Sequence, residues 1–221
     1  MPVKYRVVFD DAESPGSKIV TTETDILRDF PQCSSVARDI LYDGTFHAIP
    51  DIDVISLFFE KMDGVAYSTA CSQGKEVHFS LGHVLNSSRN NGAAAEIKGV
   101  LVHETVHCWQ FNGFGTCPGG LIEGIADFVR LRAGFAPPHW NPHNVGDKWD
   151  AGYERTAYFL DWIDKTLYHG IVQQMNVYLK TERYDDSAWV KICGIPLPQL
   201  WTAYLSDRNS PEAPPAQPTH T

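Results

Sequence analysis

His103-Glu104-Thr105-Val106-His107, set inside the apolar-periodic run from Ala93 to Phe111, is the stretch on which both fold and chemistry turn. The periodicity predicts a helix, and on a helix positions four apart share a face. The two imidazoles therefore point the same way and can hold one zinc ion. Glu104 begins the next step round the helix and can reach a water in the site as a base. Two ligands and a carboxylate in this spacing are the arrangement of a zinc hydrolase. The pentad alone also fits ordinary histidines on a packed helix. Its surroundings favour the metal, because Val100-Leu101-Val102 and Val106 make one side of the helix apolar. An unpaired imidazole facing such a side costs free energy.

A catalytic zinc site takes three protein ligands and leaves a fourth position open. Sixteen residues after His107, Leu121-Ile122-Glu123-Gly124-Ile125-Ala126-Asp127 offers carboxylates on a second apolar helix. Burying Glu123 among these residues is costly unless it is paired or bound to metal. Asp127 lies four residues on and shares its face, where it can accept the N–H of a ligand imidazole and fix its tautomer. Glu123 is the expected third ligand, with Asp127 as the competing choice. A solvated stripe is the other reading of the two acids. Gly124 between them suits a close helix approach.

The chain has 221 residues, 43% hydrophobic and 12% aromatic, which suits a single domain with a substantial core. We expect one domain over residues 1–208, with a sheet-containing lobe to about 113, a helical lobe from 114 and a disordered Pro-rich tail at 209–221. A net charge of −9 argues against nucleic acid and against an anionic membrane surface. No apolar stretch approaches the ~20 residues of a membrane span. The opening Met1-Pro2-Val3-Lys4-Tyr5-Arg6 has no apolar core of a secretory signal. The expectation is therefore either a protein that stays inside the cell or a trimmed mature form. Cys33, Cys71, Cys108, Cys117 and Cys193 are an odd, widely spaced set, read chiefly as buried free thiols. A Cys108–Cys117 bridge is the best disulfide candidate.

Residues 3–9 read as a first strand, 10–17 as a loop, and Ile19 onward as a helix ending near Tyr42-Asp43-Gly44. Val54–Phe59 reads as a buried strand, followed by short strands at 64–67 and 76–81. After the metal helix come a helix over 121–133 stopped by Gly134, a Pro/His/Asn-rich loop, and a helix over 153–165. Further helices are predicted at 170–181, 186–193 and 197–206.

Three stretches together carry a resemblance. They are His103-Glu-Thr-Val-His-Cys-Trp-Gln-Phe-Asn-Gly-Phe-Gly, Pro118-Gly-Gly-Leu-Ile-Glu-Gly-Ile-Ala-Asp-Phe-Val-Arg-Leu-Arg-Ala-Gly-Phe-Ala-Pro, and Asp147-Lys-Trp-Asp-Ala-Gly-Tyr-Glu-Arg-Thr-Ala-Tyr-Phe-Leu-Asp-Trp. This sequence resembles the plant basic secretory protein family, also called the peptidases of plants and bacteria, over roughly residues 5–205. The resemblance implies an α+β, zincin-like metallopeptidase fold with a small mixed sheet ahead of a mainly helical half. It also implies His103, His107 and Glu123 as zinc ligands, Glu104 as general base and Asp127 behind the ligands. The chain departs from the family's name in being acidic.

Peptide hydrolysis also needs a donor for the tetrahedral oxyanion. Tyr153, in Gly-Tyr at the start of a helix, is the candidate, with Tyr158 and His143 as runners-up. The strand at 76–81 is the candidate edge for pairing with an extended peptide. His47, His78, His83, His139, His169 and His220 lie outside any ligand spacing, and Trp109 and Phe111 read as packing. The expected partner is a peptide or protein substrate, with Zn2+ as cofactor and a monomeric state. The competing functions are a zinc-binding defence or carbohydrate-binding protein without peptidase activity, and a serine or cysteine hydrolase. The last lacks any Gly-x-Ser-x-Gly.

Overall fold

The computed structural model describes residues 2–90 and 92–209. Four strands form one sheet: β1 (Lys4–Phe9), β2 (Val54–Glu60), β3 (Ala66–Cys71) and β4 (Gly74–Ser80). The order is β1-β2-β4-β3. β1, β2 and β4 run parallel, and β3 runs antiparallel to β4. A parallel pair needs a long crossover. Between β1 and β2 that crossover contains two helices, α1 (Pro15–Glu23) and α2 (Ile26–Leu41). β3 and β4 are joined by the tight turn Ser72-Gln73, with Gly74 at φ 145°. A side chain at Gly74 would put its Cβ 2.2 Å from the Val54 carbonyl oxygen, so the turn and its approach to β2 both require glycine.

Every second residue of the central strands faces the helices. Ile55, Leu57 and Phe59 of β2 and Val77 and Phe79 of β4 are fully buried. The opposite face carries a stack in which His78 lies between Phe58 and Tyr67, with ring centroids 5.0 and 4.5 Å away. After β4 come α3 (Leu81–Asn90), α4 (Ala93–Trp109) and α5 (Gly119–Arg132), and then α6 (Tyr153–Thr166), α7 (Ile171–Thr181), α8 (Ser187–Cys193) and α9 (Leu197–Asn209). The fold is α+β, as expected. None of the helices among the described residues is long and apolar enough to cross a membrane.

α4 runs through the core between the sheet and the later helices. Its Leu101, Val102 and Val106 are fully buried. At its end Trp109 donates to Ser34 Oγ at 3.1 Å, and Tyr42 donates to the Trp109 carbonyl at 2.7 Å. These bonds tie α2 to the C-terminus of α4. Trp109 is thus a packing residue, as read from the sequence.

Four expectations need correction. The segment 10–17 is not wholly loop, because Ser14 accepts the Ser17 amide and Pro15 occupies the first turn, which starts α1 early. The single helix from Ile19 is broken at Thr24-Asp25. The strand at 76–81 is not an edge: β4 is paired on both sides, and β3 is the free edge beyond it. Cys108 and Cys117 are not bridged, and all five cysteines are free. Cys108 is buried near Lys75 and Glu104, whereas Cys117 lies beside Tyr184. Most of the expected Pro-rich tail (210–221), with His220, lies outside the described residues.

Candidate metal centre

α4 carries His103 and His107 one turn apart, with their rings edge to face at 4.8 Å. The chain then turns through Gly113 and returns as α5, which lays Glu123 and Asp127 against the same turn. Glu123 Oε2 lies 3.1 Å from His103 Nε2 and 3.5 Å from His107 Nε2, and the two Nε2 atoms are 3.1 Å apart. Asp127 Oδ1 lies 2.6 Å from His103 Nδ1. A carboxylate can only accept, so His103 donates from Nδ1 to Asp127 and, with no ion bound, from Nε2 to Glu123; a metal ion would replace the Nε2 proton while Nδ1 stays bonded to Asp127.

This donor set fits a metal ion. Acceptor atoms at these separations repel one another unless a proton or a metal ion lies between them. Ligands at the ~2.0–2.1 Å of a tetrahedral zinc site stand about 3.3 Å from each other. The observed edges of 3.1, 3.1 and 3.5 Å bracket that value. Among the described residues, His103, His107 and Glu123 are the group of acidic, His or Cys side chains that could hold a metal.

The electrostatics agree. Burial favours a neutral His103, but the carboxylates of Asp127 and Glu123 outweigh it and raise its pKa to about 10. Burial also opposes ionisation of Glu123, yet its contacts with His103 and His107 hold the carboxyl far below the usual range. The cluster thus attracts positive charge. Glu104 behaves oppositely: burial raises its pKa despite the two histidines and a hydrogen bond from Ser68. Its Oε2 is buried and has no protein partner. A carboxylate whose burial favours the protonated form, with an unused oxygen beside the histidines, is suited to accept and return a proton.

The site opens into a cleft of about 810 Å³ between α4 and the free edge β3. In register with Phe79, Val77 and Lys75 of β4, the residues of β3 on the helix side are Ala66, Ser68 and Ala70. These side chains are small and leave the gap open. Tyr153 closes the other side. It follows Gly152 (φ 88°) and itself has φ 48°, a strained conformation for a non-glycine residue. Thr156 accepts the Gly152 amide and donates to the Trp149 carbonyl, both at 2.9 Å, which fixes this turn. The Tyr153 ring lies nearly parallel to His103 at 6.1 Å and is 55% exposed to the cleft. Tyr158 packs edge-on against Trp140 instead, and His143 sits in an exposed loop.

The structure therefore brings together His103, Glu104, His107, Glu123, Asp127 and Tyr153, all of which line the cleft. Tyr158 and His143 are not among its lining residues. Sequence reading missed Ser68, Lys75, Gln110 and Trp140, which also line it. The alternation of small residues on β3 was the available signal for Ser68. No curated protein and no solved structure matches this chain. A family model described as a peptidase of plants and bacteria matches residues 3–204, nearly the whole chain, and the protein belongs to that family.

Proposed function

We propose that this protein is a zinc-dependent peptidase of zincin-like fold, in which residues 1–208 form one domain with the cleft between a sheet-bearing and a helical lobe. The observation that carries the reading is the triangle of His103 Nε2, His107 Nε2 and Glu123 Oε2, with the unpartnered Oε2 of Glu104 beside it. When bound there, zinc supplies a Lewis acid that polarises a peptide carbonyl and acidifies water. His103, His107 and Glu123 would hold it, and Asp127 keeps His103 in the ligating tautomer. Glu104 accepts a proton from the attacking water and delivers it to the departing amine. Its raised pKa suits both halves of that transfer. Tyr153 donates its phenol proton in a hydrogen bond to the developing oxyanion. The negative charge of Glu123, with burial, raises the Tyr153 pKa and keeps the donor protonated. An extended peptide pairs with the free edge of β3, which lies above α4.

The test is metal content together with cleavage. The parent is expected to hold about one zinc per chain and to lose casein cleavage with a chelator. Glu104→Gln is expected to keep the zinc and abolish cleavage. Cleavage by that variant at the parent rate would overturn the assignment of the base. Zinc bound by a parent that cleaves no peptide would favour the non-peptidase reading.

A further inference from the structure

Lys75 is a charged group in the cleft that the chemistry above does not use. It is the second residue of β4, in register with Ala70 of β3, on the same sheet face as Val77 and Phe79. That face looks towards α4, and the Lys75 ammonium acts electrostatically on Cys108, one turn beyond Glu104. Lys75 is only partly exposed and lines the cleft, yet it makes no hydrogen bond or ion pair with any described residue. Three acids of the site are engaged elsewhere, Glu123 with the histidines, Asp127 with His103, and Glu96 with His83 and Arg130, while Glu104 lines the cleft without an ion pair to Lys75. A half-buried ammonium without an ion-pair partner is costly to keep.

A second observation comes from Gln110, at the same end of α4. Its amide nitrogen donates to the Ile122 carbonyl, which leaves its carbonyl oxygen buried and without a partner on a residue that lines the cleft. An unsatisfied acceptor and an unpaired cation thus sit at one end of the cleft. A peptide satisfies both, with a backbone N–H for Gln110 and a carboxylate for Lys75.

Direction follows from the strand. β3 runs from Ala66, past Ser68 beside Glu104, towards Ala70 and Lys75. Antiparallel pairing is the more stable kind. A peptide paired that way with β3 enters its amino-terminal portion at the Lys75 end and leaves towards Trp140. We propose that Lys75, with Gln110, forms a subsite selecting an Asp or Glu side chain on the amino-terminal side of the cleaved bond. This rests on the peptidase reading and names its substrate class: peptides with an acidic residue before the scissile bond.

The test uses zinc-loaded full-length protein and a peptide set in which one Glu is moved along an otherwise neutral sequence, each with a Gln-containing twin. The parent is expected to prefer Glu over Gln on the amino-terminal side by about tenfold in kcat/KM, as a charge-assisted hydrogen bond supplies. Lys75→Gln is expected to erase that ratio, Lys75→Arg to retain it, and Lys75→Glu to invert it in favour of a Lys-containing peptide. Binding of the same peptides to Glu104→Gln, followed by fluorescence anisotropy with and without Lys75→Gln, reads the subsite without turnover. A ratio near one in the parent, or one that Lys75→Gln leaves intact, overturns the proposal. So does a Lys75-dependent preference on the carboxyl-terminal side. Failure of the peptidase reading looks different: no peptide of the set is cleaved and chelation changes nothing.

Discussion

His103 Nδ1 and Asp127 Oδ1 meet at 2.6 Å between two buried side chains on different helices. The contact does two things. It fixes which ring nitrogen faces Glu123 and His107, and it locks α5 to α4 at the turn that carries Glu123. Removing the charge from Asp127 frees the ring to rotate and to change tautomer. Asp127→Asn is therefore expected to weaken zinc binding about 10–100-fold. Competition against a chromophoric chelator measures this, and an unchanged affinity would show that Asp127 does not position the ligand.

The α5–α6 contact sets where Tyr153 stands. Gly124, between Glu123 and Asp127, faces Thr156, whose hydroxyl holds the turn before Tyr153. A Cβ at Gly124 would lie 2.2 Å from Thr156 Cγ2 and 2.5 Å from its Cβ. The two helices must then part. Gly124→Ala is expected to cost about 1–3 kcal/mol, a fall in Tm of about 3–10 °C for a chain of this size. Thermal unfolding checks it, and a Tm equal to the parent's would mean the contact relaxes freely.

Acid is expected to destabilise the protein through Glu96. A hydrogen bond to His83 and the charge of Arg130 together outweigh burial and hold the Glu96 carboxyl below its ordinary value of 4.5. A lowered folded-state pKa adds stability that is present above the unfolded value and is lost as pH falls through the folded one. The loss from this group therefore falls below about pH 4.5. Glu96→Gln should lower Tm at neutral pH and flatten its decline on acidification. Parallel Tm–pH curves for the two proteins would remove Glu96 as a source of the acid sensitivity.

Tyr153 holds a strained backbone and faces His103, yet its aromatic contact survives loss of the hydroxyl. Tyr153→Phe is expected to lower kcat about 10²–10³-fold, the usual effect of losing an oxyanion donor. Zinc content and KM should change little. Full activity in this variant would place the donor elsewhere.

The clustering of His103, His107 and Glu123 was largely legible in the sequence, because helix geometry turns spacing directly into a shared face. His103 and His107 needed only that rule, and Glu123 and Asp127 needed it once more plus the cost of burying an acid. The sheet was less legible. Alternation reveals that Glu76–Ser80 is a strand but not which strands flank it, so the sequence does not distinguish the inner strand β4 from the edge strand β3. α3 was missed because Gly82, Asn86, Ser87 and Ser88 are weak helix formers. Its start is fixed by Ser80, whose hydroxyl accepts the His83 amide. Lys75 and Gln110 carry no motif, and only the fold brings them to one end of the cleft.

Anomalous diffraction at the zinc edge, from crystals of the zinc-loaded protein, shows whether these three side chains hold the ion. One strong peak is expected about 2.0–2.2 Å from His103 Nε2, His107 Nε2 and a Glu123 carboxylate oxygen. A peak held by other side chains, or none between these three, would contradict that coordination.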